Sequence, residues 1–346
     1  MILKYYSKKE NLFALNSEVL KSKYGYYYNY YIDFLSQEGH ITKVMNHKSG
    51  ITSRLYCLNE SLLANKIKQH KTNDKVLLKK FINNFNNSII NKEGNNELNE
   101  LNRRIVSDLL KVSIEYDNSV LYLNKIISDK DIYNRNIYSI NSIYNKHIFY
   151  HFDNYGRLHT NFTILKSFVR KNFLRINNEE VFEFDIANSQ PLFLAKLIHD
   201  TNSKWINKEE LELFIYLTTN GKYYQYLMDN SDEKNKKTIK EITYKVLFGR
   251  NHHNSKYDKF FKSLFPTIHN FIKIYKQSNN NYKVLSHDLQ RMESEFIFNI
   301  VIKKIYEIYK EIPIITIHDS IITNISNKEI VKAIFETEKN KHFQFN

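Results

Sequence analysis

The 346-residue chain has a single cysteine, Cys57, which excludes an internal disulfide and any cysteine-rich zinc site. Such sparing use of cysteine fits a reducing compartment, and the expectation is a cytoplasmic protein. No apolar run approaches the length of a membrane span, so no membrane partner is expected. The opening Met1-Ile-Leu-Lys-Tyr-Tyr-Ser-Lys-Lys lacks the apolar core of a signal peptide. Internal repeats are absent. Acidic residues are the minority charge: 37 Asp and Glu stand against 51 Lys and Arg, a formal net charge of +14. That balance favours a polyanionic partner, nucleic acid first and a membrane surface second.

Aromatic residues are abundant. Although hydrophobic residues make up only 42% of the chain, 26 Tyr and 23 Phe supply core volume, so the chain reads as folded. Its length allows one large domain or two to three small ones. Residues 17–23 suggest a short helix with Ser17 as its cap, and a second helix from Tyr26 to Gln37 is closed by Gly39. Two strands follow, Ile41 to Met45 and Ile51 to Leu58, joined by a turn containing Lys48 and Gly50. Two helices and then a basic hairpin resemble a winged helix, with Lys43, Lys48 and Arg54 on or near the wing as DNA contacts; the alternative is a small interaction or packing module. This sets a first domain at 1–60. Residues 61–150 read as a polar helical arm, a thumb-like or linking region. Leu62, Leu63, Ile67, Leu98, Leu101, Ile105, Leu109 and Leu110 recur at helical spacing there, around an Asn-rich loop from Asn84 to Asn96.

Chemistry-bearing patterns begin after residue 150. Gly156-Arg157-Leu-His159-Thr160 follows a turn, and Arg170 lies a little further on. Val181 to Ile186 alternates as a strand with Asp185 near its end. Gln190 and Pro191 then open an apolar helix. Further along, Lys236, Lys240, Tyr244 and Phe248 recur every four residues before Gly249. One helical strip therefore carries two cations and two rings over about 18 Å, suited to a triphosphate and a stacked base. Past Pro266, Asp288 reads as the cap of an amphipathic helix bearing Gln290 and Arg291 at its start, with Met292, Phe296, Ile297 and Ile300 inward. The chain then reaches Ile312-Pro-Ile-Ile-Thr-Ile-His318-Asp319-Ser320-Ile-Ile-Thr-Asn324, two apolar strands about one polar triplet. A carboxylate in that setting needs a compensating charge, or else it sits at a solvated turn.

In order, these pieces resemble the palm and fingers of family A nucleic-acid polymerases, the group of bacterial DNA polymerase I and the single-subunit phage RNA polymerases. Asp185 matches the motif A aspartate, and Lys236, Lys240, Tyr244 and Phe248-Gly249 match the motif B helix. Gln290 matches the glutamine before motif C, and His318-Asp319 matches motif C itself. Gly156 to Thr160 is similar to the stretch upstream of motif A. Departures are Lys236 for the usual arginine, Phe248 for tyrosine, Gln190 for a glutamate, and Ser320 after the motif C aspartate, as in the RNA enzymes. Nothing upstream resembles a proofreading exonuclease.

The resemblance implies an α+β fold, in which residues 151–346 form a right-hand palm, an antiparallel sheet with flanking helices, and reduced helical fingers. It implies a template-directed nucleotidyltransferase using two Mg2+ ions about 4 Å apart, with Mn2+ as the alternative metal. Asp185 and Asp319 would be the catalytic metal ligands, with the Ile186 carbonyl as a third. Lys236, Lys240, Tyr244, Phe248 and Gln190 would hold the nucleoside triphosphate. Arg157, His159, Arg170, Gly249, Gln290, Arg291 and His318 would touch the DNA template and primer. The expected function is a small DNA polymerase or primase-polymerase of a phage or mobile element, the alternatives being an RNA polymerase-like enzyme acting on RNA and a DNA-binding initiator with an inert palm. A phosphohydrolase built on His199-Asp200, His287-Asp288 and His318-Asp319 is a further rival, weakened because such sites sit on helices. His252-His253 reads as a loop on the nucleic-acid side.

Overall fold

The computed structural model describes residues 12–46, 53–59, 61, 73–80, 96–251, 255–278 and 281–345. The chain is an α+β protein with antiparallel sheets. It divides into two compact units: residues 1–151 with 159–182, and residues 152–158 with 183–346. The boundary expected at residue 150 therefore falls inside a hairpin, and residues 159–182 pack with the first unit.

The first unit starts with β1 (Leu12–Leu15), α1 (Ser17–Tyr24), α2 (Tyr28–Gln37), β2 (Ile41–Met45) and β3 (Arg54–Leu58). The strands form an antiparallel sheet in the order β1-β3-β2. Phe13, Leu15, Leu20, Ile32, Ile41, Tyr56 and Leu58 make its core, with Tyr28 and Leu35 packed against it. Asn16, not Ser17, caps α1, its side chain accepting from the Glu18 and Val19 amides. Tyr26 and Tyr27 precede α2 rather than belonging to it. Lys48, the Asn84–Asn96 loop (apart from Asn96), the Leu62–Ile67 segment and His252-His253 lie outside the described residues.

Next come α3 (Asn96–Leu109), β4 (Val112–Ile114), α4 (Tyr116–Ile126) and α5 (Lys130–Tyr144). Ile105 and Leu109 are fully buried as their spacing predicts, but Leu110 falls past the end of α3 and is exposed. The hairpin of β5 (Tyr150–Phe152) and β6 (Leu158–Thr160) leads to α6 (Ser167–Phe173), β7 (Leu174–Ile176) and β8 (Glu179–Asp185). Strand β7 pairs antiparallel with both β4 and the start of β8. Strand β8 begins in the first unit and ends in the second.

The second unit continues from β8 into α7 (Ser189–Thr201), α8 (Lys208–Thr219), α9 (Tyr223–Asp229), α10 (Lys236–Phe248), α11 (Lys256–Leu264), α12 (Pro266–Ser278) and α13 (Val284–Glu295). A π-helical segment, Phe296–Ile302, joins α13 to α14 (Lys303–Ile308). The helix thus starts a turn before Asp288, which is no cap: its carboxylate instead takes the Tyr275 hydroxyl at 2.9 Å and Arg291 at 2.7 Å. Strands β9 (Ile315–Ile317) and β10 (Ser320–Asn324) pair antiparallel, β10 lies beside β8, and α15 (Lys328–His342) closes the unit. Ile314, Ile315, Ile321 and Ile322 are almost fully buried, so the hairpin is core on both faces. No helix among the described residues is long and apolar enough to cross a membrane.

Candidate active site

Neighbouring strands bring two carboxyl groups together. Asp185 is the last residue of β8 and Asp319 lies in the turn between β9 and β10, the strand pair beside it. The turn is tight: His318 has φ of 53°, the left-handed region, which few non-glycine residues adopt. Ser320 pins it, its hydroxyl lying 2.8 Å from the Ile317 carbonyl and 3.0 Å from Glu183 Oε1. Thr323 ties the hairpin's end to the Pro313 carbonyl at 2.9 Å. After Asp185 the chain turns through Asn188, also left-handed at φ 56°, and enters α7.

The Asp185 and Asp319 carboxyl groups hydrogen-bond to each other. Burial, then the charges of Glu293 and Asp185, push Asp319 up to about 8; the backbone of its own turn opposes this. Asp185 is also raised, by loss of hydration and by Glu183. Its bond to Asp319, the Lys240 charge and the Ile186 backbone pull the other way. Both acids are thus shifted toward their protonated forms, Asp319 the more strongly, because burial and neighbouring carboxylates oppose a second charge there.

Helix α10 supplies the neighbouring surface. The Lys240 ammonium stands 5.4 Å over the Tyr224 ring. The Tyr244 and Phe248 rings stack at 5.4 Å and 9°. Tyr244 bonds to Tyr224, and its hydroxyl is raised by burial and, among the charges, by Asp319, Glu293 and Asp185. Tyr224 is raised by burial and by Tyr244. Lys236, at the first turn of α10, is exposed. Gly249 ends the helix, its amide bonded to the Lys245 carbonyl, into which a Cβ would press.

Glu293, on α13, is 2% exposed and collects three donors from two segments. Ser189 Oγ and Gln190 Nε2, both at the start of α7, donate to Oε2 at 2.5 Å. Arg157 pairs with Oε1. Arg157 arrives on the tip of the β5–β6 hairpin, where Gly156 has φ of 87° and a Cβ would lie 2.7 Å from Ser294 Oγ. Glycine thus lets the tip approach α13 closely enough for the next residue to reach Glu293. Gln190 keeps one group spare: its Oε1 is buried with no hydrogen-bond partner among the described residues.

Asp185, Ile186, Gln190, Lys240, Tyr244, Phe248, Arg157, Gln290 and Asp319 all belong to the second unit, as do Lys236, Gly249, Arg291 and the exposed His318. His159, Arg170 and Arg54 belong to the first. Arg170 is 8% exposed and donates to the Leu165 carbonyl at 3.0 Å, so it serves packing there rather than facing solvent. Arg54 is exposed on β3. Sequence reasoning missed Glu183, Ser189, Tyr224 and Glu293. Two had signals: Glu183 shares the strand face of Asp185, two residues away, and Glu293 interrupts the inward stripe between Leu289 and Phe296.

Among the described residues no three His, Cys, Asp or Glu side chains converge as a protein-only metal cage. The donor set does fit magnesium, a hard cation that takes carboxylate oxygens and completes its shell with water and phosphate. Two raised acids beside Glu183 and Glu293 form a site whose crowding a divalent cation would relieve. Neither family models nor curated proteins match this chain.

Proposed function

We propose that the chain is a template-directed nucleotidyltransferase of palm-and-fingers type, a small DNA polymerase or primase-polymerase. The observation that carries this reading is the Asp185–Asp319 carboxyl pair, set within one unit alongside a helix bearing Lys240, Tyr244 and Phe248. Asp185 and Asp319, with the Ile186 carbonyl, would hold Mg2+. When bound, the magnesium would supply Lewis-acid stabilisation to the attacking hydroxyl and the leaving phosphate.

The chain's own residues do the rest. Lys240, joined by Lys236, offsets triphosphate charge. Tyr244 and Phe248 present a stacked aromatic wall for the incoming base. Gln190 is fixed by donating to Glu293, which leaves its carbonyl oxygen to accept from a sugar hydroxyl. Glu293 anchors Arg157, which meets the primer terminus with the part of its guanidinium not used in the pair. The Ser320 hydroxyl lies against Glu183 and the Ile317 carbonyl, so it serves the turn, and the choice of sugar is left to the comparison of dNTPs with rNTPs.

The test is extension of a labelled primer on a DNA template with dNTPs and Mg2+, repeated with rNTPs and on an unprimed template. Asp185→Asn or Asp319→Asn should lower incorporation by roughly 1000-fold or more while primer–template binding stays near wild type. Full synthesis by either variant would remove the assignment. Duplex binding without extension by the wild type would favour an initiator role.

A further inference from the structure

Helix α2 has one face in the core of its sheet and the other in water. Tyr28, Ile32 and Leu35 point inward at helical spacing, against Phe13, Ile41 and Leu58. The opposite stripe would ordinarily carry Lys, Glu or Gln. Here it carries rings, with Tyr30 70% exposed, Phe34 50% and Tyr31 46%, and the turn just before the helix adds Tyr26 at 84% and Tyr27 at 82%. Five large aromatics left in water between Tyr26 and Phe34 exceed the scattered apolar exposure of an ordinary surface. Tyr30 and Tyr31 meet edge-on, with centroids 6.0 Å apart at 74°, so they do not form a parallel stack that would use up their flat faces.

The charges beside these rings indicate the occupant. Lys21 Nζ stands 5.9 Å from the Tyr26 ring centroid. Lys80 reaches the same helix end, its ammonium donating to the Lys21 carbonyl at 3.2 Å. A second copy would bring the like ammonium groups of two chains to one interface, and a protein partner would need carboxylates set opposite them, whereas a phosphate chain meets them at every nucleotide. A duplex reader would need cations on its recognition helix to meet the two phosphate strands, but the only charged residue of α2 is Asp33, and its two amides, Asn29 and Gln37, stand eight residues apart. Flat rings flanked by ammonium groups suit unpaired bases on a phosphate chain.

We propose that the exposed face of Tyr26, Tyr27, Tyr30, Tyr31 and Phe34 is a stacking platform for single-stranded nucleic acid, with Lys21 and Lys80 meeting its phosphates. The site lies wholly within the first unit and does not depend on the proposed catalysis.

The full chain is titrated by fluorescence anisotropy with a labelled oligothymidylate and, separately, a duplex of equal length. The Tyr26→Ala/Tyr27→Ala/Tyr30→Ala variant should lose roughly 100-fold in single-strand affinity and little in duplex affinity. The corresponding triple Phe variant should keep its binding, because the rings remain. Ultraviolet cross-linking of a bromodeoxyuridine strand, followed by trypsin, should label the peptide Tyr24–Lys43, and Asp319→Asn should label it equally. Unchanged single-strand affinity together with cross-links confined to other peptides would overturn the proposal. So would a wild-type dimer that the Ala variant dissolves without losing oligonucleotide binding, since the face would then hold a second copy.

Discussion

Glu293 and Asp319 are both acids drawn into the second unit, and their surroundings treat them in opposite ways. Glu293 is met by Arg157, by the Ser189 hydroxyl and by the Gln190 amide, so its charge is matched from three directions. Asp319 faces Asp185 and the field of Glu293, and its carboxyl is pushed up to about 8. Evolution of a merely stable core would satisfy both acids or replace both. Keeping one saturated and one frustrated sets the two apart: the first fixes a hairpin tip and two helices, and the second is the acid to which the proposed function assigns a metal.

The contrast predicts opposite signs on substitution. Glu293→Ala leaves the Arg157 guanidinium, 16% exposed, without its carboxylate and takes the acceptor from Ser189 and Gln190. It should cost about 3–5 kcal/mol in urea denaturation, the usual result of breaking a buried pair from one side. Asp319→Asn removes a strained acid and should stabilise the metal-free protein under the same conditions. If both variants destabilised equally, the two carboxylates would be alike and the distinction lost.

A smaller effect, on the order of 2 kcal/mol after allowance for solvent reaching the site, is expected from pH and divalent cation. Because the Asp319 carboxyl is raised from 3.8 to about 8 on folding, its contribution to stability is complete below pH 3.8 and is lost as pH climbs to about 8. Thermal melts in chelator should therefore show wild type falling relative to Asp319→Asn between pH 5 and pH 8. Adding Mg2+ should restore wild type most at the upper end, where the ionised pair binds it, and leave Asp319→Asn nearly unmoved. Equal response of both proteins would mean that the cation binds elsewhere.

Much of this site was legible in local pattern. The four-residue recurrence from Lys236 to Phe248 is the α10 face, and the isoleucines around His318-Asp319 form the buried hairpin, because periodicity and composition are local properties. What stayed hidden was partnership. Arg157, Ser189 and Glu293 lie more than a hundred residues apart at their extremes, and only the fold makes one network of them. Boundaries erred where two neighbouring residues are suited to the same position, as Asn16 took the cap that Ser17 was also fitted for. Asp288 has a cap's chemistry, yet Val284 and Leu285 extend the helix beyond it. Strands β1 and β4, four and three residues long, are too short to carry a period of their own.

The smallest effect concerns a buried cation, the counterpart of the frustrated acid. Lys276 on α12 is 3% exposed, and its ammonium donates to the Val246 carbonyl at 2.5 Å and the Gly249 carbonyl at 2.9 Å, where α10 ends. Those oxygens carry the negative end of the helix dipole, so the contact holds the C-terminus of the helix that bears Tyr244 and Phe248. Burial nonetheless lowers Lys276 from 10.5 to about 8, with Asp258 opposing. For a base depressed on folding, the stabilising contribution is complete above pH 10.5 and is lost as pH falls to about 8. Relative to Lys276→Met, wild type should thus gain roughly 1 kcal/mol in urea denaturation between pH 8 and pH 10, and no more than that. A flat difference across that range would mean that the two carbonyls hold the ammonium as well as water does, and that this cation, unlike Asp319, is fully at ease where it sits.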